Sequence, residues 1–290
     1  MSKDAQRIVI TGAGGNLGSK LIAAFDSATW CQSIVAVDQA FPDRGFGGAS
    51  KVVAVQADLT DRRDAHWIEA VSGADAIVHL AAQNPYPTAS WEDSMASFDM
   101  TLNLLGAAEQ AGVARFVFMS SNHVMGGYKD VTPAVEPGAL TEALPPRPGT
   151  RVSDASGKIS DSPAYAVHKL MGERACRERT IGSGGRLTTI SLRIGWCQPG
   201  MNLPETLNAT GVPGDGVPDD AEGRRAYEWF RGMWLSNEDF VRIVERSILT
   251  DASSWSSPAV VINAMSTNKD MVWNLDEARR YLGYTPRDRS

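Results

Sequence analysis

Six short runs of nearly continuous apolar residues recur through the first two thirds of the chain, at residues 7–11 (RIVIT), 33–37 (SIVAV), 52–56 (VVAVQ), 76–80 (AIVHL), 115–119 (RFVFM) and 187–192 (LTTISL). Each has the length of a β-strand, and the lack of clean alternation fits strands covered on both faces. Helical windows lie between them at 16–26, 62–72, 91–111 and 164–180. Strands alternating with helices at this spacing predict an α/β fold with a parallel sheet flanked by helices, and right-handed crossovers make the doubly wound topology the expected one. After Arg224 follow a tryptophan-rich segment, a helix at 237–249, a strand at 259–262 and a short helix at 275–282 closed by Gly283. Two stretches, 126–163 and 198–223, are rich in Pro, Gly, Ser and Asp and lack periodicity; they read as long insertions, either lids or mobile surface loops. The expected division is a sheet domain over 1–193 and a smaller substrate-binding region over 194–290.

Composition narrows the function. At 290 residues, folding buries about 75% of the unfolded chain's surface, so no metal or disulfide staple is required. A net charge of −6 leaves no basic excess for nucleic acid or an anionic membrane surface. Three widely spaced cysteines, Cys31, Cys176 and Cys197, suggest neither a disulfide framework nor a zinc site and fit a reducing cytoplasm. Residues 1–7 resemble neither a signal peptide nor a membrane anchor.

The first candidate site is a glycine turn. Thr11-Gly12-Ala13-Gly14-Gly15-Asn16-Leu17-Gly18 follows the first apolar run and opens the first helical window. Gly12, Gly15 and Gly18 would permit a tight turn, close approach of backbone to a pyrophosphate, and close packing of helix on strand, while the helix N-terminus offers N–H groups to phosphate. Together these features make the fold Rossmann-type. Asp38 ends the second run, 20 residues beyond Gly18. A carboxylate there accepts hydrogen bonds from both ribose hydroxyls and repels a 2′-phosphate, so the expected cofactor is NAD rather than NADP; the alternative is a surface turn residue. Gln39 and Ala40 supply no cation for such a phosphate, and Arg44 is the nearest in sequence. Asp58-Leu59 fits an adenine-edge contact or a solvated turn.

The second candidate site pairs Tyr165 with Lys169, four residues on and so on the same helix face. An ammonium beside a phenol favours the phenolate and is expected to lower the tyrosine from about 10 toward working pH, making it a general base. Ser121 ends the fifth run, and the carboxyl ends of such strands line the ligand crevice. His79 reads as a packed core residue, His168 as facing away from the Tyr–Lys pair, and Cys176 and Cys197 as small buried hydrophobes without activating partners. His66 and His123 lack companions at metal-ligand spacing, so no metal is expected. No G-x-S-x-G elbow supports a hydrolase.

Taken together, TGAGGNLG at 11–18, Asp38, Asp58-Leu59, HLAA at 79–82, SSNHVMG at 120–126, YAVHK at 165–169 and Arg193 of SLRIG resemble the extended short-chain dehydrogenases/reductases of the NAD-dependent epimerase/dehydratase superfamily. The resemblance implies Ser121, Tyr165 and Lys169 as the catalytic trio, with hydride passing between a substrate carbon and the nicotinamide. It also implies cofactor contacts from Gly12, Gly15, Asn16, Leu17 and Gly18, from Asp38, Asp58 and Leu59, from Leu80, Ala81 and Ala82, and from Tyr165, Lys169 and Ile194. A homodimer through the helices at 91–111 and 164–180 is the family habit.

Within that superfamily, SSNH at 120–123, SLRIG at 191–195, MWLSNEDF at 233–240 and LDEARRYLGYTPRD at 275–288 are similar to uronate dehydrogenases and archaeal NAD-dependent glucose-6-phosphate dehydrogenases. That resemblance implies oxidation of the anomeric C1 hydroxyl of an aldose or acidic aldose to the lactone, with Asn122 and His123 on sugar hydroxyls and Trp234-Leu235-Ser236 closing the pocket. The chain departs from epimerases by carrying Met125 where their motif has tyrosine, and from uronate dehydrogenases by carrying Trp196 where they have serine. Their carboxylate-binding arginine aligns near Trp229, with Arg231 two residues on. These departures turn the expectation from a simple hexuronate toward a larger or differently charged sugar, a 6-phosphate or 6-sulfonate, held by Trp196 and Arg231 with Arg224, Arg225 and Trp229. The same residues also read as solvated arginines beside core tryptophans. An epimerase or dehydratase that retains its NAD is the alternative activity.

Overall fold

The computed structural model describes residues 6–41, 43, 45–83, 89–153, 159–207, 217 and 219–290. Its strands are β1 (Gln6–Thr11), β2 (Cys31–Asp38), β3 (Val52–Gln56), β4 (Ala76–His79), β5 (Arg115–Ser121), β6 (Val152–Ser153), β7 (Ile159–Ser160), β8 (Thr188–Ile194) and β9 (Ala259–Ala264). The helices are α1 (Asn16–Ser27), α2 (Ala65–Val71), α3 (Trp91–Gln110), α4 (Pro163–Gly182), α5 (Ala221–Gly232), α6 (Asn237–Leu249) and α7 (Asp276–Leu282). Seven strands form one parallel sheet in the order β3-β2-β1-β4-β5-β8-β9, and β6 and β7 make a separate two-residue antiparallel pair.

The continuous apolar runs are explained by two cores, one on each face of the sheet. Along β1, Ile8 and Ile10 pack with α1 and α6 residues such as Phe25 and Ile243, while Val9 between them packs with Trp67 of α2 and Leu104 of α3. A pleated strand sends alternate side chains to opposite faces, so both registers must be apolar. Residues 194–290 contribute β9 to the same sheet and α6 and α7 to the first core. A third cluster, including Met125, Leu140, Phe230 and Trp273, joins α5 to the segment after β5. No helix among the described residues is long and apolar enough to cross a membrane.

The two insertions are more structured than their composition implies. Asn122–Asp130 forms a 3-10 helix directly after β5, capped by Ser121, whose side chain accepts the His123 N–H. In the second, Asn202 takes a left-handed backbone (φ 54°) and ties the segment down: its side chain accepts the Gln198 N–H and donates to the Leu235 carbonyl. The C-terminal end of that insertion begins α5, capped by Asp220, whose carboxylate accepts the Gly223 N–H at 2.7 Å. The remaining insertion residues, 154–158, 208–216 and 218, and Arg44 lie outside the described residues.

Candidate active site

The strand order reverses between β1 and β4, and at the carboxyl ends of these strands lies a cleft of about 510 Å³. Such a switch point is where open α/β sheets bind ligands. One end is built by the glycine turn. Gly12 has φ +69°, and a Cβ there would come within 2.7 Å of the Ala81 nitrogen, so the turn and its approach to the segment after β4 both require glycine. Gly18 faces inward, where a Cβ would collide with Gly12 and Ala13; its role is the packing of α1 against the turn. Gly15 caps α1, which has no side-chain N-cap, and a Cβ on it would meet only the Gly12 oxygen, at 3.3 Å. Gly12, Gly15, Asn16 and Leu17 line the cleft.

Asp38, at the end of β2, also lines it. Its Oδ2 accepts the Gly14 N–H at 2.9 Å and its Oδ1 the Gln39 N–H at 2.7 Å, which fixes the carboxylate at the rim. Gly14 was absent from the expected set, yet a Cβ there would lie 2.6 Å from the Ala40 oxygen; the GxxGxxG spacing hides it. Leu59 lines the same end, whereas the Asp58 carboxylate lies outside the lining and is occupied by the Thr60 hydroxyl (2.7 Å) and Gln39 Nε2 (3.2 Å). These bonds hold Asp58 below the usual carboxylate range, the Thr60 amide most of all. Leu80, Ala81, Ala82 and Ile194 line the middle and far parts, together with Gln83, Met100, Met119 and Ser120, which sequence reasoning did not name. Met119 and Ser120 directly precede Ser121, so their strand-end position was the available signal.

Tyr165 and Lys169, on the first two turns of α4, complete the lining at the far end. The Lys169 ammonium is buried, donates to the Met119 carbonyl at 2.8 Å, and lies 5.7 Å from the Tyr165 ring centroid. Burial pushes it down to about 8. The expected lowering of Tyr165 is not what this geometry produces. Desolvation pushes the phenol above its ordinary value, and the opposing influence is its hydrogen bond with the Ser121 hydroxyl rather than Lys169. Ser121 thus meets Tyr165 directly, from the buried end of β5.

His123 stands edge-on to Tyr165, with ring centroids 5.8 Å apart, and its Nδ1 pairs with the Thr150 hydroxyl at 2.7 Å. Burial lowers it to about 3, so the ring is neutral. Asn122 donates from Nδ2 to the Ile194 carbonyl at 2.9 Å, and its buried Oδ1 has no hydrogen-bond partner among the described residues. His168 does not face away: it is buried edge-on to Tyr165, with ring centroids 5.2 Å apart. His79 is a core residue held between the Thr11 and Thr101 hydroxyls.

Trp196 and Arg231 are placed differently from these. Trp196 packs edge-on to Phe230 and is outside the cleft lining. Arg231 donates to the Pro204 carbonyl and borders a second cavity of about 620 Å³, between α5 and residues 128–137 and 269–272. Arg225 is exposed and paired with Asp130 at 3.3 Å, and Trp229 is buried against Trp273. Cys197 does have a cationic neighbour, Lys20, at 3.4 Å, but burial outweighs it and pushes the thiol up.

Residues 8–195 match the model of the NAD dependent epimerase/dehydratase family. Over 98% of this chain and 97% of the relative, the sequence is 32% identical to an L-arabinose 1-dehydrogenase (NAD(P)(+)) from Haloferax volcanii. It is 27% identical to an NAD-dependent glucose-6-phosphate dehydrogenase of the same organism, over 98% of this chain and 94% of that one. Among solved structures, a mutant uronate dehydrogenase from Agrobacterium tumefaciens complexed with NAD is similar at a TM-score of 0.66 and 25% identity, covering 98% of this chain and 86% of the other.

Proposed function

The chain belongs to the NAD dependent epimerase/dehydratase family, and from that premise we propose that it is an NAD-dependent sugar dehydrogenase that oxidises the C1 hydroxyl of an aldose or acidic aldose to the aldonolactone. The observation that carries this reading is that Tyr165, hydrogen-bonded to the buried Ser121, and Lys169 line one end of a cleft whose other end is the glycine turn and Asp38. Relatives similar over nearly the full chain are named as an aldose 1-dehydrogenase and a sugar-phosphate dehydrogenase.

The residues present fit NAD. Gly12 and Gly15 line the cleft in front of α1, whose first N–H groups lack a side-chain cap and suit a pyrophosphate. Asp38 suits ribose hydroxyls and opposes a 2′-phosphate. When bound, NAD supplies the acceptor for the hydrogen and electron pair leaving C1. The chain's own residues handle the proton. As the phenolate, Tyr165 takes it from the C1 hydroxyl; Ser121 orients that oxygen by hydrogen bonding and opposes the upward push of burial on the phenol, and Lys169 would hold the nicotinamide ribose. Asn122 and the neutral ring of His123 position the sugar. The reaction balances as aldose plus NAD giving lactone, NADH and a proton.

Further parts of this reading concern the whole chain. Residues 1–193 carry the cofactor site and 194–290 the substrate side. Two chains pair through α3 and α4, whose outer surfaces expose Trp91, Met95 and Ile181; light scattering returning a single-chain mass would refute that pairing. Free thiols at all three cysteines support a reducing, cytoplasmic location.

The test is NADH formation by purified protein with arabinose, glucose, glucose 6-phosphate, glucuronate and galacturonate. Net accumulation of NADH with at least one sugar is expected, and Tyr165→Phe should lower the rate by about 10²–10⁴-fold while NAD binding persists. Sugar isomerisation without net NADH would instead indicate an epimerase.

A further inference from the structure

The strand that ends in Ser121 and the helix that carries Tyr165 and Lys169 are joined at two points one helical turn apart. The first is the bond from Lys169 to the Met119 carbonyl. The second lies one turn further along α4, where Glu173 Oε1 accepts the Ser120 hydroxyl at 2.6 Å. Arg193 reaches the same carboxylate from β8, its Nε bonding Oε1 and its Nη2 bonding Oε2, both at 2.8 Å. Ser120 and Arg193 are register partners on adjacent strands, and Ser120, Glu173 and Arg193 are all buried.

The proton transfer described above uses none of these three. Placing a carboxylate and a guanidinium in the interior is costly, and it is sustained only where the geometry is bidentate and the remaining lone pairs are satisfied. Here one of those lone pairs takes the hydroxyl adjacent to Ser121. Successive side chains leave a strand on opposite faces, so anchoring Ser120 fixes the rotation of the strand end and hence the direction in which Ser121 leaves it. The same carboxylate sits on the helix that aims Tyr165.

We propose that Glu173 is a positioning residue for the reaction: through Ser120 it sets Ser121 against Tyr165, and Arg193 holds its carboxylate in place. The kinetic part of this inference rests on the dehydrogenase reading; the spectroscopic part does not.

Ser120→Ala removes the tie and leaves the Glu173–Arg193 pair intact. We expect kcat to fall about tenfold or more, as small misplacements of reacting groups do, with KM for NAD changed less than about twofold. Its pH profile should move to higher pH, because the Ser121 bond is what opposes the upward push on Tyr165. Ser120→Thr keeps the hydroxyl and should restore the rate, and Glu173→Asp, which keeps the charge but shortens the reach, should reproduce the Ser120→Ala profile. Ultraviolet titration of the phenol, with Tyr165→Phe marking its step, reads the displacement without any sugar. Wild-type kcat and an unmoved phenol step in Ser120→Ala would overturn the proposal, as would a loss that threonine does not rescue. If the wild type oxidises no aldose, the sugar reading fails, and the phenol titration still decides the role of Glu173.

Discussion

Asp38 does two jobs with one carboxylate. It binds the Gly14 amide, which holds the glycine turn against β2, and it presents negative charge to the end of the cleft. Two like charges about 4 Å apart near a protein surface repel by about 4 kcal/mol, enough to separate two cofactors that differ by a phosphate. Asp38→Asn keeps an acceptor for Gly14 and removes the charge, so the ratio of kcat/KM for NADP to that for NAD should rise by about tenfold or more. An unchanged ratio would assign discrimination to another residue. The glycine turn and Asp38 were legible in the sequence because backbone conformation and cofactor geometry restrict them to particular residue types. The balance at Tyr165 was not: spacing puts Lys169 on the same helix face, but only the fold shows its ammonium directed to Met119 and the phenol meeting Ser121.

Among the elements, the outer strand β9 shows how a segment far away in sequence completes the sheet. Its Asn263 amide donates at 2.7 Å to Glu142, in the segment after the 3-10 helix, and its Asn263 side chain donates to the Leu140 carbonyl. Glu142 is pushed up to about 7, chiefly by burial; Glu277 adds to the push, while the Asn263 amide and Arg193 oppose it. The folded chain therefore holds a proton there that the unfolded chain releases at lower pH. Stability from this site falls as pH rises from about 4.5 to about 7, and the cost is fully present above that window. Glu142→Gln should consequently stabilise the protein at pH 8, by about 1–3 kcal/mol or a few degrees in Tm, and change it little at pH 5. Equal shifts at both pH values would contradict the linkage. The strands of the sheet were legible because two-sided burial demands unbroken apolar runs. Helix α5 was not, since its buried face rests on Ala226, Trp229 and Phe230 among Glu, Arg and Gly, and its core partners come from 124–152 and 265–275.

At the scale of the whole molecule, two sheet cores make a rigid frame, and the third cluster attaches the C-terminal region beside the end of β5. The cleft follows from strand order, so its cofactor end was readable from β1 and β2 alone. Its substrate end draws on the 3-10 helix, residue 150 and the start of α4, a convergence that no local pattern encodes. Arg231, two residues beyond the point where the relatives' carboxylate-binding arginine aligns, accordingly lies against Pro204 at a second cavity. The central claim is that hydrogen leaves the sugar at C1 and does not return. Incubation of the protein with NAD and an accepted aldose deuterated at C1 tests it most directly, with the label followed by mass spectrometry. The account predicts deuterium in the reduced cofactor, unlabelled lactone, and a slower rate than with the protiated sugar. Deuterium retained in the sugar, or returned to it with no net reduced cofactor, would contradict it.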